Sequence, residues 1–333
     1  MGVPDDAPGP GSPVPREHAR IVPASLVAAT IGALIAFQGR LNGDLAAGGA
    51  GPLVASWLSY LGTLGTVVVW LVARGAAGRT LRTLRGRGRR WWFALGVLGI
   101  PIVLAMAAGV PVVGIAIASV AAVAGQTVSG LALDARGVGV VAPLGLDARR
   151  VAAGLVAVGG LALAVLAGTG GLDVGLATVL VLGLLLFVGG LSIAGQQAGS
   201  GAITAITRDP AVAGLTTAIG GTLVMSALVG GGWAIGWLDG MQLPSEWYLY
   251  LGGPLGAGIT VGAAWAVRHL GTFALTLATV GGQMATAITI DLVAGEGVHG
   301  ATVAAAVLIV GATLATVRRP GRARVRRPGR AAR

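Results

Sequence analysis

Glutamines recur within the long apolar stretches of the sequence, and four of them, Gln38, Gln126, Gln196 and Gln283, lie slightly past the middle of different stretches. A side-chain amide both donates and accepts hydrogen bonds, so it suits the binding of a small polar molecule. Inside a bilayer such a group must face water or another helix. Two interpretations stay open: the glutamines line a binding cavity, or they hydrogen-bond helix to helix, at about 0.6 kcal/mol per interaction.

The segment IAFQGRLN, residues 35–42, adds Asn42 and Arg40 to the first of these glutamines. Asn42 lies one helical turn beyond Gln38, and we expect it to share a substrate-binding surface with the glutamines. Arg40 either extends to the lipid headgroups or attracts an anionic substrate, and the first alternative is favoured. Arg40 is therefore predicted to act in gating or coupling if it has a functional role.

Two aspartates follow two of the glutamines at the same spacing: Asp134 and Asp291 lie eight residues after Gln126 and Gln283. Eight helical residues span about 12 Å, so the carboxylates are predicted near the inner and outer mouths of a bundle. They are candidates for gating or coupling, or alternatively for capping or helix-interface roles. No Asp, Glu or His falls at the middle of a predicted span, so a central proton-exchanging carboxylate is not expected.

The sequence contains no pattern typical of an enzyme. HExxH, GxSxG, Walker and Cys/His motifs are all absent, and the chain has no cysteine and three scattered histidines. We therefore predict no catalytic residues, no metal and no cofactor.

The elements that position these side chains are predicted to be membrane-spanning helices. The chain is 55% hydrophobic and 11% charged, with a mean hydropathy of +0.84, which is typical of membrane proteins. Its long apolar runs lack the alternation of barrel strands, which makes the fold class all-α. Ten spans are predicted, at 21–47, 52–73, 91–110, 112–133, 150–168, 176–203, 211–236, 247–267, 270–292 and 299–317.

The distribution of arginine predicts the orientation. With a cytoplasmic N-terminus and ten spans, 22 of the 23 basic residues fall on the inner side, and Arg40 is the exception. This is the positive-inside bias, so both termini are predicted to be cytoplasmic. The basic stretches 74–92 and 318–333 are expected to contact anionic lipid headgroups and not nucleic acid. Residues 1–20 are predicted to be a disordered polar tail.

The sequence also contains an internal repeat. IAFQGRLN aligns with IAGQQAGS (193–200), which places Gln38 on Gln196 at a spacing of 158 residues. Residues 113–134 align with 270–291 at a spacing of 157, which pairs Gln126 with Gln283 and Asp134 with Asp291. Two five-helix repeats are predicted, 21–168 and 176–317. Because five is odd, the second repeat must cross the membrane in the inverted sense.

Three motifs resemble a known family. They are AxQxxxN in the first span (residues 36–42), Pro-x-Val-Ala at the start of the second (52–55), and Gly-Gln followed eight residues later by Asp in the fourth (125–134). Over residues 22–316 the chain resembles the YdcZ-like branch of the drug/metabolite transporter superfamily. The resemblance implies a ten-helix transporter of the inner (plasma) membrane, whose central cavity is lined by helices such as the first, fourth, sixth and ninth. The second half departs from the pattern, with Ser200 in place of Asn42.

We therefore predict an exporter of small organic molecules that works by alternating access as a monomer or homodimer, with the substrate and membrane lipids as its partners. A membrane scaffold and an intramembrane lipid-modifying enzyme are the alternatives. A glutamine-lined central cavity would favour transport, whereas a solid centre with paired amides would favour a scaffold.

Overall fold

The computed structural model describes residues 15–136, 148–168, 175–295 and 300–315, and these residues form helices and short connections without any strand. The predicted all-α class is thus confirmed. The N-terminal tail and the basic tail lie mostly or wholly outside these ranges. The helices are α1 (Pro15–Leu45), α2 (Gly51–Ala73), α3 (Ala77–Arg87), α4 (Arg90–Ala94), α5 (Ile100–Ala135), α6 (Ala148–Gly168), α7 (Leu176–Thr207), α8 (Pro210–Ala234), α9 (Gly252–Ala294) and α10 (Gly300–Ala315).

Short turns of other helical types precede three of these helices. Ala46–Ala50 is a π-helical turn between α1 and α2, and Leu95–Gly99 is a 3-10 helix before α5. Trp247–Leu251 is a 3-10 helix before α9.

Four helical stretches of the described residues are long and apolar enough to cross a membrane: Val22–Ala73, Arg90–Leu133, Leu176–Thr207 and Pro210–Ala234. The first two contain 52 and 44 residues. At 1.5 Å per residue they would extend over about 78 and 66 Å, whereas a hydrocarbon core is about 30 Å thick. Each is therefore long enough for two crossings.

Glycines with positive φ interrupt both of these long stretches. Gly49 (φ 122°) and Gly51 (φ 68°) separate α1 from α2, and Pro52 follows within the first turn of α2. Gly114 (φ 77°, ψ 163°) divides α5 into segments 100–113 and 115–135. Residues other than glycine rarely adopt these backbone angles, so glycine permits the chain to change direction here.

The two halves of the sequence pack against each other at equivalent glycines. A Cβ atom on Gly32 of α1 would overlap the carbonyl oxygen of Thr279 on α9, and one on Gly190 of α7 would overlap that of Ala122 on α5. The glycines are 158 residues apart and their partners 157. The reciprocal contacts follow the same spacing, Gly282 against Ala29 and Gly125 against Phe187. Small residues of this kind let membrane helices approach closely.

Opposite ends of the bundle contain different connections. At one end, Gly49 accepts a hydrogen bond from the backbone N–H of Gln242 (3.2 Å), so the α1–α2 and α8–α9 connections meet there. At the other end the fully buried Trp92 packs with Ile203 and Val212, which lie at the junction of α7 and α8.

Helix α3 lies at the Trp92 end as a surface helix. Its Thr80 is buried, and Leu84 packs against the bundle. Its arginines Arg79, Arg82 and Arg85 are exposed. The basic stretch therefore lies on one end of the molecule and stays outside the helical core.

Candidate binding site

A cavity of about 90 Å³ lies between α1, α2, α5, α7, α8 and α9. It has room for several water molecules or one small organic group. None of the described residues that line it is Asp, Glu, Lys, Arg or His. Its polar lining consists of Gln38, Asn42, Ser59, Tyr60, Thr63, Gln126, Gln196, Gln197, Thr217 and Thr260.

Gln38 and Gln196 make the same hydrogen bond in the two halves of the molecule. Gln38 Nε2 donates to the carbonyl oxygen of Gly252 (2.9 Å), at the start of α9. Gln196 Nε2 donates to that of Leu95 (3.1 Å), at the start of the 3-10 helix before α5. The acceptors are 157 residues apart and the donors 158. Each amide is thus anchored on the other half of the chain.

Glycines give these two amides the space that they occupy. A Cβ atom on Gly99 would lie 2.8 Å from Gln196 Nε2 and 2.6 Å from the Tyr60 hydroxyl. A Cβ atom on Gly256 would lie 2.7 Å from Gln38 Nε2. Real Cβ atoms do not approach other atoms so closely, so a larger residue at either position would displace the glutamine beside it.

Ser59 connects the polar groups on the α1 side of the cavity. Its Oγ accepts hydrogen bonds from Gln38 Nε2 (3.2 Å) and Asn42 Nδ2 (3.3 Å). The Tyr60 hydroxyl donates to the Gly96 carbonyl (3.3 Å), and Thr63 Oγ1 lies 3.0 Å from the Gly253 carbonyl. The sequence reasoning missed Ser59, Tyr60 and Thr63. The repeat offered a signal for the first, since Ser59 aligns with Thr217.

The other two predicted glutamines differ in their placement. Gln126 lines the cavity, and its Oε1 is buried without a hydrogen-bond partner among the described residues. Gln283, its counterpart on α9, is fully buried and does not line the cavity. Both its Nε2 and its Oε1 lack a partner in the described part of the chain. The structure therefore brings together Gln38, Gln126 and Gln196, but not Gln283.

Two of the three charged candidates, Arg40 and Asp291, lie away from the cavity. Arg40 Nε donates to Asp44 Oδ2 (2.9 Å) one turn along α1, in a partly exposed ion pair. Such a pair contributes about 0.3–0.5 kcal/mol. The Asp291 carboxylate is buried and accepts from the backbone N–H groups of Ile115 (3.2 Å) and Ala116 (2.8 Å). The Asp134 side chain lies outside the described part of the structure.

Most of the cavity lining consists of residue pairs from equivalent positions of the two repeats. Four lining residues have no counterpart in the lining, and all belong to the first half: Asn42, Thr63, Met106 and Gln126. The predicted ninth span contributes no described lining residue. The eight pairs are Ile35 with Ile193, Gln38 with Gln196, Gly39 with Gln197, Ser59 with Thr217, Tyr60 with Ala218, Gly99 with Gly256, Ile102 with Ile259 and Val103 with Thr260.

Comparison with known proteins shows which family shares these features. Residues 23–163 and 181–316 each match a family profile described as "Putative inner membrane exporter, YdcZ". The chain belongs to the YdcZ family of the drug/metabolite transporter superfamily. The two matches begin 158 residues apart, which is the spacing of Gln38 and Gln196. This YdcZ-family chain is a multi-pass inner-membrane protein with two copies of the family unit.

A solved structure supports the fold. It is described only as a crystal structure of a protein, and it is 18% identical to this chain with a TM-score of 0.58. The similarity covers 89% of this YdcZ-family chain and 96% of that one. None of the curated proteins compared with the chain matches it.

Proposed function

We propose that this YdcZ-family protein exports small, uncharged, polar organic molecules by alternating access through the cavity between Gln38 and Gln196. The observation that carries the proposal is the symmetric anchoring of these two amides on Gly252 and Leu95. Binding sites of secondary transporters commonly lie at the interface between two repeats. A cavity whose wall comes from both repeats meets this condition.

The chemistry of the lining favours an uncharged substrate. The described lining offers amide and hydroxyl groups together with apolar side chains, and it offers no charge to neutralise an ion. Transfer of an ion into such a site would be costly, because a buried charge without a partner is strongly disfavoured. A neutral solute with both donors and acceptors would find partners in Gln38, Gln196 and Asn42.

The lengths of the helices support ten spans in two inverted repeats. Val22–Ala73 and Arg90–Leu133 each divide at glycines into two segments, and α9 has 43 residues, about 65 Å of helix. Read as pairs of crossings, these stretches fit ten spans with the arginine-rich stretch 74–92 on the cytoplasmic side. The end of the bundle with the α1–α2 and α8–α9 connections would then face outward.

The cavity also favours transport over a scaffold. A purely structural bundle would pair its buried amides with each other and fill its centre. Here four glutamines, Gln38, Gln126, Gln196 and Gln197, line a common space.

The test is solute flux in proteoliposomes that contain the purified protein. We expect flux of one or more neutral polar solutes from a panel that also contains organic cations and anions. Gln38→Ala and Gln196→Ala should each lower that flux about tenfold, because each variant loses one hydrogen bond to the bound solute, worth about 1.4 kcal/mol.

Thr30→Ala is the matched control, because Thr30 is an exposed polar residue on α1 that bonds only its own helix at the Leu26 carbonyl. It should leave the flux unchanged. Flux restricted to charged solutes, or equal flux in all variants at equal incorporation, would refute the proposal.

A further inference from the structure

The two repeats contribute unequally to the wall of the cavity, as a comparison of aligned residues shows. The first half contributes Asn42, Thr63, Met106 and Gln126 to the wall, whereas the aligned residues of the second half contribute nothing. Those aligned residues are Ser200, Gly221, Ala263 and Gln283. Ser200, Ala263 and Gln283 are all buried. The cavity therefore extends from the shared centre into one half only.

Gln283 is the most costly of these buried residues in the present conformation. Its side chain is fully buried, and neither amide atom has a partner among the described residues. A buried polar group without a hydrogen bond destabilises a structure by about 1–3 kcal/mol. Its counterpart Gln126 occupies the equivalent place on α5 yet reaches the cavity.

The helix packing around the two glutamines is the same. Gly32 of α1 lies against the backbone at Thr279 and Gln283, and Gly190 of α7 lies against the backbone at Ala122 and Gln126. The α1–α9 pair and the α5–α7 pair thus make the same backbone contact at equivalent positions of the repeat. Only the position of each pair relative to the cavity differs.

We propose that the protein has a second binding cavity, formed when the two halves exchange conformations and lined by Gln283, Ser200, Ala263 and Gly221. This proposal rests on the proposed function. Gln283 binds the same neutral polar solute in that state, and Gln126 becomes buried. The exchange moves the α1–α9 and α5–α7 pairs as units, because their close glycine contacts leave little room for sliding. The solute or water then satisfies the Gln283 amide.

The natural absence of cysteine makes the exchange directly testable. Single variants Gln126→Cys and Gln283→Cys are treated with N-ethylmaleimide, and the parent chain serves as the blank. Each cysteine variant is combined with a wedge, which is a bulky tryptophan substitution that holds one cavity open. The wedge is either Asn42→Trp or Ser200→Trp. An indole at position 42 lies in the cavity seen here and prevents its closure. An indole at position 200 fits only when the second cavity is open.

We expect the Gln283→Cys thiol to react about tenfold faster with the Ser200→Trp wedge than with the Asn42→Trp wedge, because labelling follows the population of the open state. The Gln126→Cys thiol should show the reverse order. A Gln283→Cys thiol that is equally slow with both wedges, or wedges that shift both thiols in one direction, would overturn the proposal.

Two measurements keep the result decisive. Met106→Trp and Ala263→Trp form a second wedge pair in case Ser200→Trp does not fold, which size-exclusion chromatography and thermal denaturation report. Solute flux of the single-cysteine variants is measured separately. Glutamine-dependent flux without exchange of reactivity refutes the second cavity and leaves the proposed function intact. If the thiol reactivities reverse between the two wedges but no solute crosses the membrane, the second cavity stands and the proposed function is refuted.

Discussion

At the residue scale, the two central amides are held in position by the protein itself. Gln38 and Gln196 each use Nε2 to bond a backbone carbonyl of the opposite half. Because the amide is planar, fixing the nitrogen also fixes the carbonyl oxygen, which remains as an acceptor. Preorganisation of this kind improves affinity by removing the cost of ordering the side chain on binding.

Gly256 and Gly99, which lie against the amides of Gln38 and Gln196, should not tolerate replacement by alanine. Gly256→Ala would place a Cβ atom 2.7 Å from Gln38 Nε2, and Gly99→Ala would place one 2.8 Å from Gln196 Nε2. The glutamine must then leave its carbonyl, so solute affinity should fall about tenfold. The measurement is the concentration dependence of flux in proteoliposomes.

Gly65→Ala provides the control for this substitution, since a Cβ atom on Gly65 of α2 would meet no atom within 4 Å. It should transport like the parent. Full activity of Gly256→Ala would show that Gln38 does not need its bond to Gly252.

The sequence predicted which polar residues lie within spans but not all of their directions. Gln38, Gln126 and Gln196 line the cavity, whereas Gln283 does not. Helical periodicity alone cannot separate these cases, because the direction of a side chain also depends on how its helix is rotated and on the conformational state. The role of Ser59 as a shared acceptor depends on contacts between helices, which no local pattern predicts.

At the element scale, the break within α5 is stabilised from the other half of the chain. The segment 115–135 begins after Gly114, and its first backbone N–H groups would be unsatisfied without a cap. Asp291 of α9 supplies the cap at Ile115 and Ala116. A carboxylate is favourable at this place because it also interacts with the helix dipole.

Asp291→Ala should therefore destabilise the folded protein. It leaves two buried N–H groups without this acceptor, and charge-assisted hydrogen bonds contribute about 1.5–3 kcal/mol each. We expect a clearly lower midpoint of thermal unfolding in detergent. Asp239→Ala, at an exposed site in the connection after α8, should leave the midpoint unchanged. Equal midpoints for the two variants would contradict the capping role of Asp291.

The position of this break differs from the sequence expectation. The predicted third and fourth spans were separated at Pro111, yet that residue lies within the helix and the chain turns at Gly114. Proline removes a donor but still has a helical φ, whereas only glycine readily adopts a φ of 77°. The helix is therefore interrupted at Gly114, which adopts the positive φ, and not at Pro111.

At the scale of the whole molecule, the arginine distribution predicts a single orientation. Exposed positions at the two ends of the bundle can be compared in the cysteine-free chain: Ser245→Cys precedes α9, and Gly86→Cys lies in α3. We expect a membrane-impermeant thiol reagent to label Ser245→Cys in intact cells and Gly86→Cys only after permeabilisation. Labelling of both in intact cells, or the reverse pattern, would contradict the predicted topology.

The repeat was the most informative feature of the sequence for the architecture. Its spacing of 157–158 residues predicted that Gln38 and Gln196 occupy equivalent positions, and the family matches begin at the same spacing. It could not predict which helices pair across the halves, such as α1 with α9, because that depends on backbone contacts at Gly32 and Gly282. The predicted boundaries of the two repeats stay a prediction.

The unequal walls of the cavity have a consequence for kinetics. Thr63 and Asn42 of the first repeat align with Gly221 and Ser200 of the second, so in the proposed transport cycle a solute would meet more hydrogen-bonding groups in one of the two conformations. Half-saturation should then occur at different concentrations for inward and outward flow. Without an energy source such a difference shifts no final distribution, because the ratio of the two conformations compensates for it. In the proposed cycle the asymmetry would set how quickly a solute leaves at low abundance, and not how far its gradient can be driven.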